Sequence, residues 1–227
     1  MREQSWAISL GAGVLVLGAG LPAQAFVPWD NSSGETDFFS WAGGGSDNGL
    51  FGDPVIVGQD TFVFFPQDFI ATSVDGVSDL VSDRLEVELT AKPDFRFSGI
   101  RIQEFGDYGI DGSGAVSVSG GLFITDIGGF FRVESDELTS TPGSPITSGA
   151  GDWEANAFVD LDAAPPDWTH IQLVLDNVLS ALSDAGSTSF IEKKVAGAGI
   201  MITIVPGPGS VTILALGGLP LLTRRRR

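Results

Sequence analysis

A strict two-residue alternation of apolar and polar side chains is the feature that most constrains this fold. Residues 85–90 have the sequence LEVELT. Two glutamates separate the apolar residues Leu85, Val87 and Leu89, and a threonine follows them. Successive side chains of a β-strand point to opposite faces, so this run predicts a strand with one apolar face and one charged face. Such a strand must bury its apolar face against another layer.

The same pattern recurs along much of the chain. It is found in DFRFSGIRIQEF (94–105) and GAVSVSGGLFIT (114–125), and shorter candidates are FFRVE, AFVDLD and IMITIV. Clusters of Gly with Asp, Asn or Ser separate these runs, as tight turns require. Many short, half-buried strands joined by such turns predict an all-β protein, specifically an antiparallel β-sandwich of the jelly-roll or immunoglobulin-like type.

One segment, DWTHIQLVLDNVLSALSDAG (167–186), fits two structures. Its apolar residues fall at helical spacing, and Asp167 could cap such a helix. Ile171, Leu173 and Leu175 also alternate as they would in a strand. The pattern alone leaves residues 171–182 open between helix and strand.

The N-terminus has the organisation of a secretory signal peptide. Arg2 is followed by an apolar run from Trp6 to about Leu21, and the small residues Ala23 and Ala25 flank Gln24 just before Phe26. Signal peptidase requires small side chains at these two positions. We therefore expect residues 1–25 to be a signal peptide that is cleaved after Ala25.

The C-terminus, residues 205–227, has three parts. A turn-rich segment comes first (Val205, Pro206, Gly207, Pro208, Gly209, Ser210), then the uncharged residues 211–223, and finally four arginines (Arg224, Arg225, Arg226, Arg227). As a helix the uncharged part would reach about 20 Å, short of the ~30 Å hydrocarbon core. The arginines would anchor it on the cytoplasmic side. We expect a single apolar helix that holds the chain in the membrane temporarily; the alternative is a terminal β-strand with a basic tail.

VPGPGS followed by an apolar stretch and RRRR resembles the PEP-CTERM sorting signal, which exosortase recognises. Members of that family typically have Val-Pro-Glu-Pro, and here Gly207 stands in the place of the glutamate. The resemblance implies export by the general secretory pathway and transient anchoring in the inner membrane. Cleavage near residues 206–209 and release or attachment outside the cell would follow. The implied partners are signal peptidase and an exosortase-like protease.

Residues 84–204 also resemble a β-rich body that recurs in PEP-CTERM proteins, through FSGIRIQEFGDYGIDG and LDNVLSALSDAGSTSFIEKK. This second resemblance implies strands through residues 173–182. It implies no activity.

Between the two signals, residues 26–204 are long enough for one domain with its own core. The formal net charge of the whole chain is −17. Within the domain, the basic residues are Arg84, Lys92, Arg96, Arg101, Arg132, Lys193 and Lys194. Such an acidic protein is repelled by nucleic acid and by anionic membrane surfaces. The chain has no cysteine, so disulfides and thiol chemistry are excluded.

The residues offer little for catalysis. His170 is the single histidine, and the Gly-x-Ser-x-Gly pattern of a nucleophile elbow is absent from the sequence. One histidine without cysteine also excludes a zinc site of the usual type. GGGSDNG and GDYGIDGSG lack the lysine of a phosphate-binding loop and are interpreted as turns.

Two ligand classes remain as candidates. Calcium could be bound by pairs of carboxylates on turns, for which the candidates are Asp107 with Asp111, Asp160 with Asp162, and Asp47 with Asp53. None of these pairs belongs to an EF-hand loop. Such aspartates more often stabilise the turns themselves, and no cofactor is expected. A carbohydrate-binding face would need exposed rings, for which the candidates are Trp29, Trp41, Trp153 and Tyr108.

These observations together predict an exported, acidic cell-surface or extracellular-matrix protein with a structural or adhesive role beside extracellular polysaccharide, and not an enzyme. The alternative is a secreted carbohydrate-binding module or a glycan-cleaving enzyme, in which two carboxylates would face each other across a cleft.

Overall fold

The computed structural model describes residues 26–129, 131–163, 167–194 and 199–209. Within these ranges the chain forms strands and turns, and no helix there is long and apolar enough to cross a membrane. The strands of the first half are β1 (Val27–Pro28), β2 (Gly34–Glu35), β3 (Phe39–Ser46), β4 (Val55–Val57), β5 (Thr61–Phe64), β6 (Ile70–Val74), β7 (Asp79–Ala91) and β8 (Phe95–Asp111). Those of the second half are β9 (Gly114–Asp126), β10 (Val133–Glu137), β11 (Thr139–Thr141), β12 (Gly149–Asp160), β13 (His170–Ser183), β14 (Thr188–Lys193) and β15 (Ile200–Pro208).

The first sheet has the strand order β1-β3-β7-β13-β9-β10, with β2 added beside β3. Its central strand, β13, pairs antiparallel with β7 on one side and with β9 on the other. Leu173 lies opposite Val87 of β7 and Ile124 of β9. The ambiguous segment 171–182 is therefore a strand, and the helical alternative is wrong. Two neighbouring strands satisfy its backbone groups, which the sequence of this segment alone could not reveal.

The second sheet has the order β11-β12-β8-β15-β5-β4. Its longest strand, β8, pairs along most of its length with β12. On its other side β8 is shared: β15 pairs with its first half and β14 with its second half. β6 pairs with β14 and lies at the border of this part of the sheet. The pairings within both sheets are antiparallel.

The alternating residues behave as the sequence predicts. Leu85, Val87 and Leu89 are buried, and the intervening residues face outward or lie partly exposed. Ile100 and Ile102 of β8 and Val116 and Val118 of β9 are buried in the same way. The inner faces of the two sheets form one hydrophobic cluster, the arrangement of a β-sandwich. Each fully buried Leu or Ile stabilises the fold by about 1.5–3 kcal/mol.

Aromatic rings fill one end of this core. Trp41 and Phe62 pack edge to face at 5.4 Å between centroids, and Phe51 packs on Phe69 at 5.5 Å in the same manner. Edge-to-face packing places the positive edge of one ring against the negative face of the next, which adds about 0.5–1.5 kcal/mol per pair. The described tryptophans thus form part of the core of the sandwich.

Candidate functional site

The predicted processing sites lie towards the two ends of the sequence, and most of their residues are outside the described ranges. Ala23 and Ala25, Ser210, the apolar segment 211–223 and Arg224 to Arg227 lie outside the described residues. Phe26 is the first described residue and is 42% exposed, and β1 begins at the next residue.

The turn-rich motif is part of the second sheet. β15 continues past residue 204 to Pro208, so residues 205–208 pair with β8 after a register shift between Val205 and Pro206. Ser98 Oγ donates a hydrogen bond of 3.1 Å to the carbonyl oxygen of Val205. The amide of Gly209 donates a hydrogen bond of 2.8 Å to the backbone carbonyl oxygen of Asp94. These bonds hold the motif in an extended conformation on the sheet.

Side chains and a surface depression surround the end of the motif. Arg96 Nε donates a hydrogen bond of 3.1 Å to the carbonyl oxygen of Pro208. A shallow depression of about 380 Å³ beside this bond is lined by Lys92, Asp94, Asp167 and Gly209, among others. Pro208 is exposed, whereas Gly207 is buried. The motif therefore becomes accessible at its C-terminal end.

The candidate calcium ligands are dispersed. Asp107 and Asp111 belong to β8, and Asp160 and Asp162 lie at the end of β12 and just after it. Asp162 forms an ion pair of 2.7 Å with Arg96, and Asp160 Oδ1 accepts the amide of Asp162. In the third candidate pair, Asp47 with Asp53, Asp53 Oδ1 accepts a hydrogen bond from the backbone amide of Asp30. Across the described ranges, no three acidic or histidine side chains lie together as a metal site would need.

The partner of Asp107 in the structure is Lys194. Lys194 Nζ lies 3.4 Å from Asp107 Oδ1 and donates a hydrogen bond of 2.9 Å to Asp152 Oδ1. This hydrogen bond lowers the pKa of Asp152, with further contributions from Asp107 and from the lysine charge. It also raises the pKa of Lys194. The three side chains form an exposed ion-pair network that joins β8 and β12 to the residue after β14.

The candidate carbohydrate-binding rings are mostly in the core. Trp29, Trp41 and Trp153 are all buried, and Tyr108 packs partly buried against the same core. Trp41 Nε1 donates to the carbonyl oxygen of Asn31, which fixes its ring inside. These four side chains do not form an exposed row on which a sugar ring could stack.

His170 lies on the outer face of the first sheet. Its Nε2 is 2.5 Å from Glu88 Oε1, and both side chains are partly exposed. The neighbouring positions on this face include Gln172, whose amide donates to Glu86. His170 is thus one member of a solvated polar face.

The most unusual polar cluster was not predicted from the sequence. Glu104 of β8 and Lys193 at the end of β14 form an ion pair of 2.6 Å in which both side chains are fully buried. Asn177 of β13, in the other sheet, donates its side-chain amide to the second oxygen of the same carboxylate. One carboxylate therefore holds an amine and a carboxamide, and it links the two sheets through the core.

Apolar surroundings set the chemistry of this cluster, which we call the buried triad (Glu104, Asn177, Lys193). Lys193 Nζ lies 5.0 Å from the ring centroid of Phe69 and 5.3 Å from that of Trp153. Loss of hydration lowers the pKa of Lys193, and the negative charge of Glu104 opposes this shift. Asn177 Oδ1 is buried and finds no hydrogen-bond donor in the part of the chain that the structure describes.

The backbones of β8 and β14 approach each other closely at Gly106, beside the triad. A Cβ atom at Gly106 would lie 2.0 Å from the carbonyl oxygen of Glu192 and 2.4 Å from the Trp153 ring. Glycine at this position lets Trp153 lie flat on β8, where its Nε1 donates to the carbonyl of Glu192. The ring thereby covers the amine of Lys193.

A comparison with protein-family models and a search of curated proteins found no match to this chain.

Proposed function

We propose that this chain is an exported, acidic cell-surface protein that an exosortase-type protease processes at its C-terminus, with a structural or adhesive role at the cell envelope. The proposal rests on the two terminal signals in the sequence. Ala23 and Ala25 precede Phe26, and VPGPGS precedes an apolar run and four arginines. The final domain would be a β-sandwich without signal peptide or sorting helix.

The positions of the first and last strands bear on where the second cut falls. β1 begins at Val27, shortly after the first predicted cleavage site, and β15 ends at Pro208, inside the region 206–209 in which the second cleavage is predicted. Removal of residues 1–25 and of the residues after Gly209 would leave every one of these strands intact. Cleavage inside residues 205–208 would instead remove part of a strand that is bonded to Ser98 and Arg96. We therefore propose that the cut falls at the exposed C-terminal end of the motif.

The proposed final role follows from charge and surface. The domain is strongly acidic, and the outer face of β7 carries Glu86 and Glu88, which favours solubility and contact with cations or basic partners. The tryptophans of the described residues lie in the core, which favours a structural role over sugar stacking.

The experiment that tests this proposal follows the full chain in two bacterial strains, one with an exosortase and one without it. In the first strain we expect the protein outside the inner membrane and without its arginine tail. In the second we expect the tail to remain and the protein to fractionate with the inner membrane. A variant with all four arginines changed to glutamine serves as the anchoring control. Identical processing in both strains would contradict the proposal.

A further inference from the structure

We propose that Lys193 and Asn177 form an intramolecular isopeptide bond, with Glu104 as the proton carrier, so that a covalent link joins the two sheets through the core. The inference is independent of how the chain is delivered, because the three residues precede the C-terminal motif. It rests on the geometry of the buried triad.

The first observation is that one carboxylate holds both reacting groups. Glu104 Oε2 accepts from Lys193 Nζ at 2.6 Å, and Glu104 Oε1 accepts from Asn177 Nδ2. The amide carbon of Asn177 is one bond beyond that nitrogen. The fold holds the amine and the carboxamide beside the same carboxyl group, so little translational and rotational entropy remains to be lost when they react. Such positioning greatly accelerates a reaction.

The second observation is that the site favours a neutral amine. An ammonium and a carboxylate that are both fully buried have lost their hydration, which disfavours the two charged forms. Transfer of one proton from Lys193 to Glu104 removes both charges and leaves a nucleophilic amine. Lysines in apolar pockets become nucleophiles for this reason. Phe69 and Trp153 exclude water from this amine on two sides.

The third observation concerns the electrophile. Asn177 Oδ1 is buried without a donor among the described residues, which is an unfavourable state for a buried carbonyl oxygen. This oxygen takes up the electron pair of the carbonyl when an amine attacks Cγ. The proton that Glu104 has received from Lys193 is then available in the site to neutralise the developing charge.

The reaction balances without any further reagent. The Nζ–Cγ bond forms and the Cγ–Nδ2 bond breaks. Of the three protons on the Lys193 ammonium, one stays on the new amide nitrogen, one passes through Glu104 to Nδ2, and one remains on the carboxyl group of Glu104. Asn177 Nδ2 leaves as ammonia, so the product contains a neutral amide and a neutral carboxylic acid in place of a buried ion pair.

The position of the link gives it a structural consequence. Asn177 lies on β13, at the centre of the first sheet, and Lys193 ends β14 in the second sheet. The chain has no cysteine, so no disulfide can join the sheets. An amide link in this place would resist both reduction and the separation of the two layers.

The test uses the purified full chain and a protease that cleaves before aspartate. Cleavage at Asp176 and Asp184 places Asn177 in the peptide 176–183 and Lys193 in the peptide that starts at residue 184. We expect mass spectrometry to find these two peptides joined, with a mass lower than their sum by one ammonia. Fragmentation should place the link between Asn177 and Lys193.

Two variants complete the test. Glu104→Gln keeps the size of the side chain but removes the proton carrier, and we expect separate peptides of full mass. Lys194→Met removes the neighbouring exposed amine and should leave the joined peptide unchanged. Since Glu104→Gln can also impair folding, the wild-type digest decides: separate wild-type peptides without loss of ammonia would overturn the proposal.

Discussion

Asp136 accepts a hydrogen bond of 2.8 Å from the backbone amide of Phe158, although the two residues belong to different sheets. Asp136 lies on β10, the border strand of the first sheet, and Phe158 lies on β12 of the second. β11 pairs with β12 only as far as Asn156, so the amide of Phe158 lies beyond that ladder. The carboxylate therefore caps a strand edge that would otherwise be open to another chain.

A similar bond is found at β6, which borders the part of the second sheet that contains β14. The amide of Thr72 on β6 donates a hydrogen bond of 2.9 Å to Asp79 Oδ2 on β7. β6 pairs with β14 on one side, so Thr72 is at the outer edge of the strand. The free edges of β12 and β6 are thus each bonded to a carboxylate of the first sheet at one amide.

We predict that Asp136→Ala weakens this edge. The amide of Phe158 loses its acceptor, so its hydrogen exchange should become faster, with a loss of about 0.5–1.5 kcal/mol in the free energy of unfolding. Exchange measured by NMR tests this directly. Glu137→Ala, at the next residue of the same strand, is the matched control and should leave the amide of Phe158 protected. Equal protection in both variants would show that the carboxylate does not cap the edge.

The second prediction distinguishes the strand at 171–182 from the helix that its spacing also allowed. In the strand, Leu179 is completely buried and Leu182 is 54% exposed. In a helix both would have faced the core. We expect Leu179→Ala to lower the free energy of unfolding by about 2–5 kcal/mol, and Leu182→Ala to change it by less than about 0.5 kcal/mol. Urea unfolding measures both, and similar large losses would argue for the helix.

The third prediction concerns Asp83, a buried carboxylate that organises the turn after β3. It accepts hydrogen bonds of 2.8 Å from Ser46 Oγ and from the amides of Asn48 and Leu50. Asp83→Ala leaves the buried Ser46 hydroxyl and the two partly buried amides without their acceptor, at a cost of about 1–3 kcal/mol for each donor that water cannot reach.

We therefore expect a marked drop in the denaturation midpoint of Asp83→Ala. Asp47→Ala changes a carboxylate of the same turn whose side chain forms no such bonds with the described residues, and it should behave as the wild type does. A midpoint for Asp83→Ala within error of the Asp47→Ala value would refute this role.

The fourth prediction is a pH dependence of the exposed ion-pair network. Lys194 holds the pKa of Asp152 below its ordinary value of 3.8. The stabilisation from this carboxylate is therefore complete above pH 3.8 and is lost as the pH falls through the lowered pKa. For Lys194 the sign is opposite: its pKa is raised above 10.5, so its contribution is complete below pH 10.5 and is lost at higher pH.

NMR titration of the Asp152 carboxyl measures the acidic side. We expect its midpoint to rise toward 3.8 in Lys194→Met. Lys92→Met removes a lysine that pairs with Glu35 elsewhere on the surface, and it should leave the Asp152 midpoint unchanged. An Asp152 midpoint that does not respond to Lys194→Met would show that the ion pair is not formed in solution.

The sequence predicts the sandwich well because alternation is a local property. Leu85, Val87 and Leu89 each report the buried face of β7 without reference to any partner. The path of the chain between the sheets is not local. The sharing of one side of β8 between β14 and β15 depends on contacts between distant residues, which the alternation does not encode.

The motif at the C-terminus is a second example of structure that the sequence does not predict. VPGPGS contains residues that favour turns, and proline is disfavoured within a ladder because it lacks an amide donor. In the structure Pro206 and Pro208 nevertheless lie in β15, which meets β8 with a register shift at this point. The strand that precedes them extends into the motif, and Ser98 and Arg96 support it from the side.

The buried triad was not predicted because its members are far apart in the sequence. Each of them nevertheless stands at a position that the alternation assigns to the inner face of its strand. Glu104 continues the inward positions of Ile100 and Ile102, and Lys193 continues those of Ser189 and Ile191. Asn177 likewise falls between the buried Leu175 and Leu179. An acid, an amine and an amide at core positions of three strands would have indicated a polar cluster, but sequence alone could not show that they meet.

The measurement that tests the proposed function most directly is a determination of both chain termini in protein recovered from the cell envelope and from the medium. We predict a species that begins at Phe26 and ends at or near Gly209, so that the strands from β1 to β15 are retained. A species that begins at Met1, or that still ends in Arg224 to Arg227, would contradict export with sorting cleavage.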